Sequence, residues 1–531
     1  MGIPTVSSYQ REIPRRQIIL TMAGVMLAMF LSSLDQTIVG VAMPRIVTDL
    51  GGFSQYTWMT TAYIITSAVV IPITGKLTDM YGRKYFYIGG LIIFTVASFL
   101  CGFSNSMMQL IVCRGIQGIG AGIMMANAFT VIGDLFPPSE RGKYQGLISG
   151  VFGLSSVVGP ILGGFITDAL SWHWIFFINV PLGIIIIILF FLYFPHIRPD
   201  KLQHQIDYPG VITLILAVVP LLLAFSWAGI EYPWASLQIA GMLTFSVIMI
   251  ICFLFIESRS KEPIIPLSLF RNQIVSLSFL VIFFSAFGMF GSIIFVPLFF
   301  QGVLGATATT SGSFLTPMML GVVFGSVSSG QILSRAGGHY RLQGIIGIII
   351  MAIGLWLLSQ LTAGVSYPRA VFFIIITGVG LGITMPVFTI TVQNAVPYSM
   401  LGIATSATAF FRSIGASVSL AIMGSVMNNR FASEIRAGFT GPLKNLITQE
   451  QLEAFANNPQ ALVSPEAQSQ LQTLFEQLGM QGSVIVEQIL QVLRQGLSAA
   501  LSEVFLVSFG AVIIALVIQF FIKEIPLRKG K

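Results

Sequence analysis

Fourteen apolar stretches of about twenty residues run through this chain, and that is the length an α-helix needs to cross the hydrocarbon core of a bilayer. Their approximate limits are 17–41, 55–75, 85–104, 107–132, 143–168, 174–195, 209–228, 236–256, 273–300, 311–334, 342–361, 367–392, 402–427 and 498–522. With 55% hydrophobic and 9% charged residues, 531 residues carry too little polar surface to cover a soluble core. The expected fold class is an all-α polytopic membrane protein.

An even number of spans returns both termini to one side. Most of the 27 lysines and arginines lie on that side, among them Arg15, Arg16, Lys76, Arg83, Lys84, Arg141, Lys143, Arg335 and Arg341. Basic residues collect in cytoplasmic loops, so the termini are expected inside a cell membrane, the bacterial cytoplasmic membrane being the expected setting. The net charge of +7 is spread over these short loops and forms no single basic patch, which speaks against a nucleic-acid partner. Cys101, Cys113 and Cys252 fall inside apolar runs without metal-ligand spacing and read as buried thiols.

The chain also repeats itself. Gly75 and Gly82 after span 2 return as Gly330 and Gly337 after span 10. The run Gly118, Gly120, Gly122 of span 4 returns as Gly378, Gly380, Gly382 of span 12, and Gly146 and Gly159 of span 5 return as Gly402 and Gly415 of span 13. Each match lies eight spans apart, so spans 1–6 and 9–14 read as two like halves with spans 7 and 8 inserted between them. Two parallel six-helix bundles with a site between them is a transporter architecture. The expected parts are a cytoplasmic tail (1–16), a first bundle (17–195), the inserted pair (196–258), five spans of the second bundle (259–427), an outer helical loop (428–497), the last span (498–522) and a tail (523–531). The outer loop is polar, with Thr448-x-x-Gln451 as a capping box and Ser464-Pro465 as a helix start. It is where a partner outside the cell could bind.

One carboxylate, Asp35, stands inside span 1. An ionisable residue at membrane depth costs on the order of 2.5 to 3.5 kcal/mol on insertion scales, so it is a functional candidate, with a carboxyl paired to a neighbouring helix as the plain alternative. Arg114 and Arg412 are the basic residues set within spans. Arg114, nearer the outer end of span 4, has the outer interface within reach as its plain reading, and Arg412, near mid-depth, needs a partner or a water-filled cavity. Spans 9–13 contain no aspartate or glutamate. No G-x-x-x-x-G-K-[ST] loop, H-E-x-x-H or G-x-S-x-G is present, so neither nucleotide hydrolysis nor another enzymatic activity is expected, and no cofactor beyond a proton gradient.

At Gly75-Lys76-Leu77-Thr78-Asp79-Met80-Tyr81-Gly82-Arg83-Lys84 the sequence resembles the signature loop of the major facilitator superfamily. Arg114-Gly115-Ile116-Gln117-Gly118 resembles its fourth-span motif, and Gly159-Pro160-Ile161-Leu162-Gly163-Gly164 its antiporter motif. Leu34-Asp35-Gln36-Thr37, Trp172 to Pro181 and the inserted pair are similar to the fourteen-span drug:proton antiporter family. The departures are His173, where the family usually has arginine, and the long outer loop. The resemblance implies a major facilitator fold and proton coupling by Asp35 with Arg114. It also implies a conformational latch at Gly75, Asp79, Gly82, Arg83 and Lys84, which Asp134 and Arg141 could join. Gly159, Pro160, Gly163 and Gly164 would allow close packing and a bend in span 5.

The expected activity is proton-coupled export of hydrophobic drug-like compounds by alternating access. Met26, Met29, Phe30, Gln36, Met124, Met125, Phe287 and Arg412 are the candidates for the substrate cavity, since methionine and phenylalanine suit loose apolar recognition. The expected partners are therefore small hydrophobic substrates, protons and the lipid bilayer. Export of lipids aided by the outer loop, and a non-transporting receptor, are the alternative readings.

Overall fold

The computed structural model describes residues 13–51, 55–195, 205–229, 231–305, 308–335, 339–439 and 480–526. Among them it is helical throughout, and fourteen helices are long and apolar enough to cross a membrane. A bilayer offers no water to backbone groups, so each span must satisfy them within itself, and a helix does this. The spans are α1 (Arg15–Leu50), α2 (Tyr56–Tyr81), α3 (Arg83–Gly102), α4 (Met107–Leu135), α5 (Pro138–Ala169), α6 (Asn179–Tyr193) and α7 (Tyr208–Trp227). They continue as α8 (Leu237–Arg259), α9 (Gln273–Leu298), α10 (Ala308–Arg335), α11 (Tyr340–Ser359), α12 (Tyr367–Ala395), α13 (Leu401–Gly438) and α14 (Met480–Phe520). A single turn, Trp174–Phe177, leads into α6, and a π-helical turn, Phe299–Val303, ends α9.

Buried apolar residues divide as the repeat predicts. One core joins α9 to α14, with Phe279, Met351, Leu355, Phe431 and Val504 fully enclosed. Two smaller cores hold α1, α3, α4 and α6 together, around Met29, Tyr87, Phe94, Met124 and Phe190, and around Ile38, Met59, Leu110 and Trp172. The inserted α7 lies against α2 and α13, where Leu214, Val218 and Leu222 meet Ile65, Val69 and Phe410. α8 leaves Val247, Ile251, Leu254 and Phe255 exposed, a lipid-facing pattern.

The repeated glycines make the same contacts in both halves. A Cβ on Gly118 or Gly122 would strike α2 at Tyr63 or Ser67, and one on Gly120 would strike α3 at Phe94. A Cβ on Gly378 or Gly382 would strike α10 at Met318 or Val322, and one on Gly380 would strike α11 at Met351. Small residues let helix backbones approach in a bilayer, where no hydrophobic force drives helices together.

Two boundaries differ from the sequence expectation. α13 runs on to Gly438, and α14 begins at Met480, so both ends of the polar segment are helical extensions. Phe431 and Ile435 of one pack with Ile489, Leu493 and Leu497 of the other, while Arg430 pairs with Glu434 and Glu503. The two helix starts read at Thr448 and Ser464 lie outside the described residues.

Candidate functional site

Asp35 sits on α1 with no exposure to solvent, and three side chains from two other helices donate to it. Arg114 Nη1 of α4 reaches Oδ2 at 2.6 Å, Gln117 Nε2, one turn further along α4, reaches Oδ1 at 2.9 Å, and Asn179 Nδ2 at the start of α6 reaches Oδ1 at 2.8 Å. The cluster is sealed outward from there. Arg114 Nη1 also donates to Gln117 Oε1 at 2.8 Å, its guanidinium lies 4.2 Å from the Tyr63 ring centroid, and Asn179 donates to Ser98 Oγ at 3.0 Å. Gln36 reaches only the Tyr63 hydroxyl, at 3.5 Å.

Arg114 therefore does not extend to the outer interface; it is 1% exposed and neutralises Asp35. A buried ion pair whose remaining lone pairs are also hydrogen-bonded is the arrangement in which desolvation is offset. α1 presents Asp35 to α4 and the neighbouring Ser33 and Thr37 to α5. Ser155 donates to Ser33 Oγ at 2.5 Å and Thr37 donates to Ser155 O at 3.2 Å. Two glycines of α5 face this contact. A Cβ on Gly159 would run into Thr37, and one on Gly163 would lie 3.1 Å from Ile38 O, so both glycines admit α1 to α5. Pro160 lies inside α5, and Gly164 faces open space, with no part in this approach.

A second cluster lies at the side of the molecule where α1 begins. Gly82, at φ 89°, ends α2 and turns the chain into α3, a conformation that suits a residue without Cβ. Asp79, in the last turn of α2, accepts from Gly402 N at 3.1 Å and Ile403 N at 2.9 Å, the free N–H groups in the first turn of α13. A carboxylate there meets both unsatisfied donors and the positive end of the helix dipole. Arg83 donates to Asp79 at 3.1 Å and pairs with Asp134, which accepts from the Tyr398 hydroxyl at 2.9 Å. Gly75 lets α2 touch α13 at Gly402 and Ser406.

Lys84 does not join this cluster. It donates to Phe191 O at 2.9 Å, near the end of α6. Arg141 donates to Gly133 O at 2.7 Å and Phe136 O at 3.0 Å, fixing the end of α4 that carries Asp134.

The residues expected to line a substrate cavity lie on several helices of both halves. Met29 and Met124 are buried in the first-half core with Met26 beside them, Phe30 packs on the core around Trp172, and Phe287 meets Phe283 edge-on and Phe284 at a tilt. Met125 is half-buried on α4. Arg412 lines a cavity of about 20 Å³ with Ile282, Ser285, Ala286, Met289, Leu381, Thr384, Met385 and Phe388. Three further residues of these clusters, Gln117, Asn179 and Tyr398, are not among the site residues expected from the motifs; Gln117 stands within the quoted fourth-span stretch. Asn179 stands within the quoted stretch Trp172 to Pro181 and is legible as a lone amide among apolar neighbours; Tyr398 carries no local signal.

Two like helical halves, a sealed ion pair in one of them and a charged clasp between them define a membrane transporter, not an enzyme. The profile of the Major Facilitator Superfamily matches residues 25–207 and 208–420, and the chain belongs to that family. It is 41% identical over 514 residues to the multidrug transporter protein MdtP of Bacillus subtilis, covering 96% of this chain and 94% of that one. It is 39% identical over 421 residues to multidrug resistance protein 3 of the same organism, covering 79% and 81%. Two solved structures share the fold at 13% identity. The human organic anion transporter MFSD10 superposes with a TM-score of 0.60 over 94% of this chain and 100% of its own. The proton:xylose symporter XylE superposes with a TM-score of 0.59 over 96% of each.

Proposed function

We propose that this protein is a proton-coupled exporter of hydrophobic, drug-like compounds, working by alternating access across a bacterial cytoplasmic membrane with both termini inside. The observation that carries the reading is Asp35, a carboxylate held by Arg114, Gln117 and Asn179 within spans otherwise poor in acids. Its relatives named as multidrug transporters support the cargo class, and the basic loops support the orientation.

With the termini inside, the Asp79–Arg83–Asp134 clasp closes the cytoplasmic side. A proton arriving at Asp35 from outside neutralises the carboxylate and weakens its hold on Arg114 Nη1, loosening α1 from α4. Loss of that proton to the cytoplasm restores the pair. A charge crossing about 100 mV is worth roughly 2.3 kcal/mol and one pH unit about 1.4, so a single proton supports accumulation of roughly 500-fold.

The test is gradient-driven efflux of a lipophilic dye from reconstituted vesicles, comparing the native chain with Asp35→Asn at matched insertion. Native efflux is expected to follow the gradient, and the variant to lose it. Equal, gradient-dependent efflux by both would place coupling elsewhere.

A further inference from the structure

The second half holds a cation without a counter-charge. Arg412 lies about three turns into α13, and its guanidinium makes no hydrogen bond or ion pair among the described residues. The helices around it offer none: the sequence contains no aspartate or glutamate from Pro263 to Ser433, Glu434 and Glu503 are engaged by Arg430 at the other end of α13, and Asp35 of the other half is already engaged by Arg114. A charged side chain at such depth is expected to face a cavity or a partner.

Arg412 faces the small cavity between α9, α12 and α13, and a second orphan donor shares it. Ser285 Oγ is buried and has no hydrogen-bond partner, although buried hydroxyls are nearly always paired. Thr384 adds a hydroxyl that already donates to Leu381 O at 2.8 Å. The remaining wall is apolar, with Met289, Met385 and Phe388 on two of the three helices. The volume of about 20 Å³ admits one water-sized group, the size of a carboxylate oxygen.

We infer that Arg412 and Ser285 form an anion-accepting subsite, so that the favoured cargo is an amphiphile with one carboxylate-type head and an apolar body. The head supplies the counter-charge that Arg412 lacks. The thioethers of Met289 and Met385 can re-pack around bodies of differing shape. This rests on the exporter reading for the word cargo, but its test is of binding and needs neither a gradient nor Asp35.

The experiment is equilibrium binding of pyrenebutanoate and its neutral analogue pyrenebutanamide to the full-length protein in detergent, with native, R412Q, R412K and S285A chains. The native chain is expected to bind the carboxylate about tenfold tighter than the amide, the scale of a charge-assisted hydrogen bond. R412Q should remove that preference, R412K should keep part of it, and S285A should weaken carboxylate binding a few-fold. A native chain that binds both probes equally, or neither, overturns the inference whatever the variants do. An unchanged carboxylate-to-amide ratio in R412Q overturns it too. Gradient-driven dye efflux without anion preference would end this inference alone; anion preference without efflux would end the exporter reading alone.

Discussion

Asp35 and Arg114 depend on each other in a way that single and double substitutions can separate. Removing one member of a buried pair leaves an uncompensated charge and typically costs about 3–5 kcal/mol. R114L is therefore expected to lower the thermal midpoint in detergent sharply, because Gln117 and Asn179 alone must then hold the carboxylate. Combining D35N with R114Q removes both charges while keeping polar groups in place, so most of the midpoint should return although coupled transport does not. A double variant as unstable as R114L would mean that the helices need the charge itself. Asp35 was legible in the sequence because one carboxylate in an apolar span must be either paired or functional. Two of its donors were not: Gln117 and Asn179 are distant in the chain, and the polar residues of α1 fall on no single face, so periodicity cannot say which helix Asp35 faces.

Among elements, the two halves touch through matched pairs of helices, α2 with α13 and α5 with α10. The repeat is visible in this contact: Gly75 abuts Gly402, while their counterparts Gly330 and Gly146 approach each other across the second seam. Charge breaks the symmetry, for a reason of helix length. α13 starts at Leu401, so Gly402 and Ile403 have free N–H groups for Asp79. α5 starts at Pro138, well before Gly146, so the corresponding groups are used within its own helix, and Ser334, at the place of Asp79, donates to Gly330 O at 3.0 Å. D79N should thus weaken only the first seam, by roughly 0.3–2 kcal/mol, and raise thiol labelling from the terminus side of a cysteine placed at Ser406. G402A should do the same by steric means, since its Cβ would run into the Asp79 carboxylate. Unchanged labelling in both would show that the clasp does not set the closure. The signature loop announced Asp79, but its landing on α13 depends on how two distant spans align, and Lys84, drawn away to Phe191 O, shows that membership in a motif does not fix a contact.

Across the whole molecule, the described contacts between halves gather on the side where the chain starts. Gly133 meets Leu401, Gln145 donates to Gln393 at 2.9 Å, Gln393 donates to Phe129 O at 3.2 Å, and Gly153 would bring a Cβ within 2.9 Å of Val323. Fourteen spans and two halves were readable from run lengths and repeated glycines, but which faces close was not, since each seam joins residues hundreds of positions apart. If the halves rock to expose the site alternately, these contacts must part in every cycle. Tying them together should therefore stop transport without unfolding the protein. With Gln145 and Gln393 replaced by cysteine, a short reducible bis-thiosulfonate is expected to abolish efflux, and reductant to restore it. The native thiols interfere little, because Cys101 and Cys113 are buried and Cys252 is half-buried on the inserted α8. Each single-cysteine chain should be indifferent to the reagent. Efflux that persists in the fully bridged double variant would mean that cargo crosses without the halves separating here, and alternating access about this seam would have to be given up.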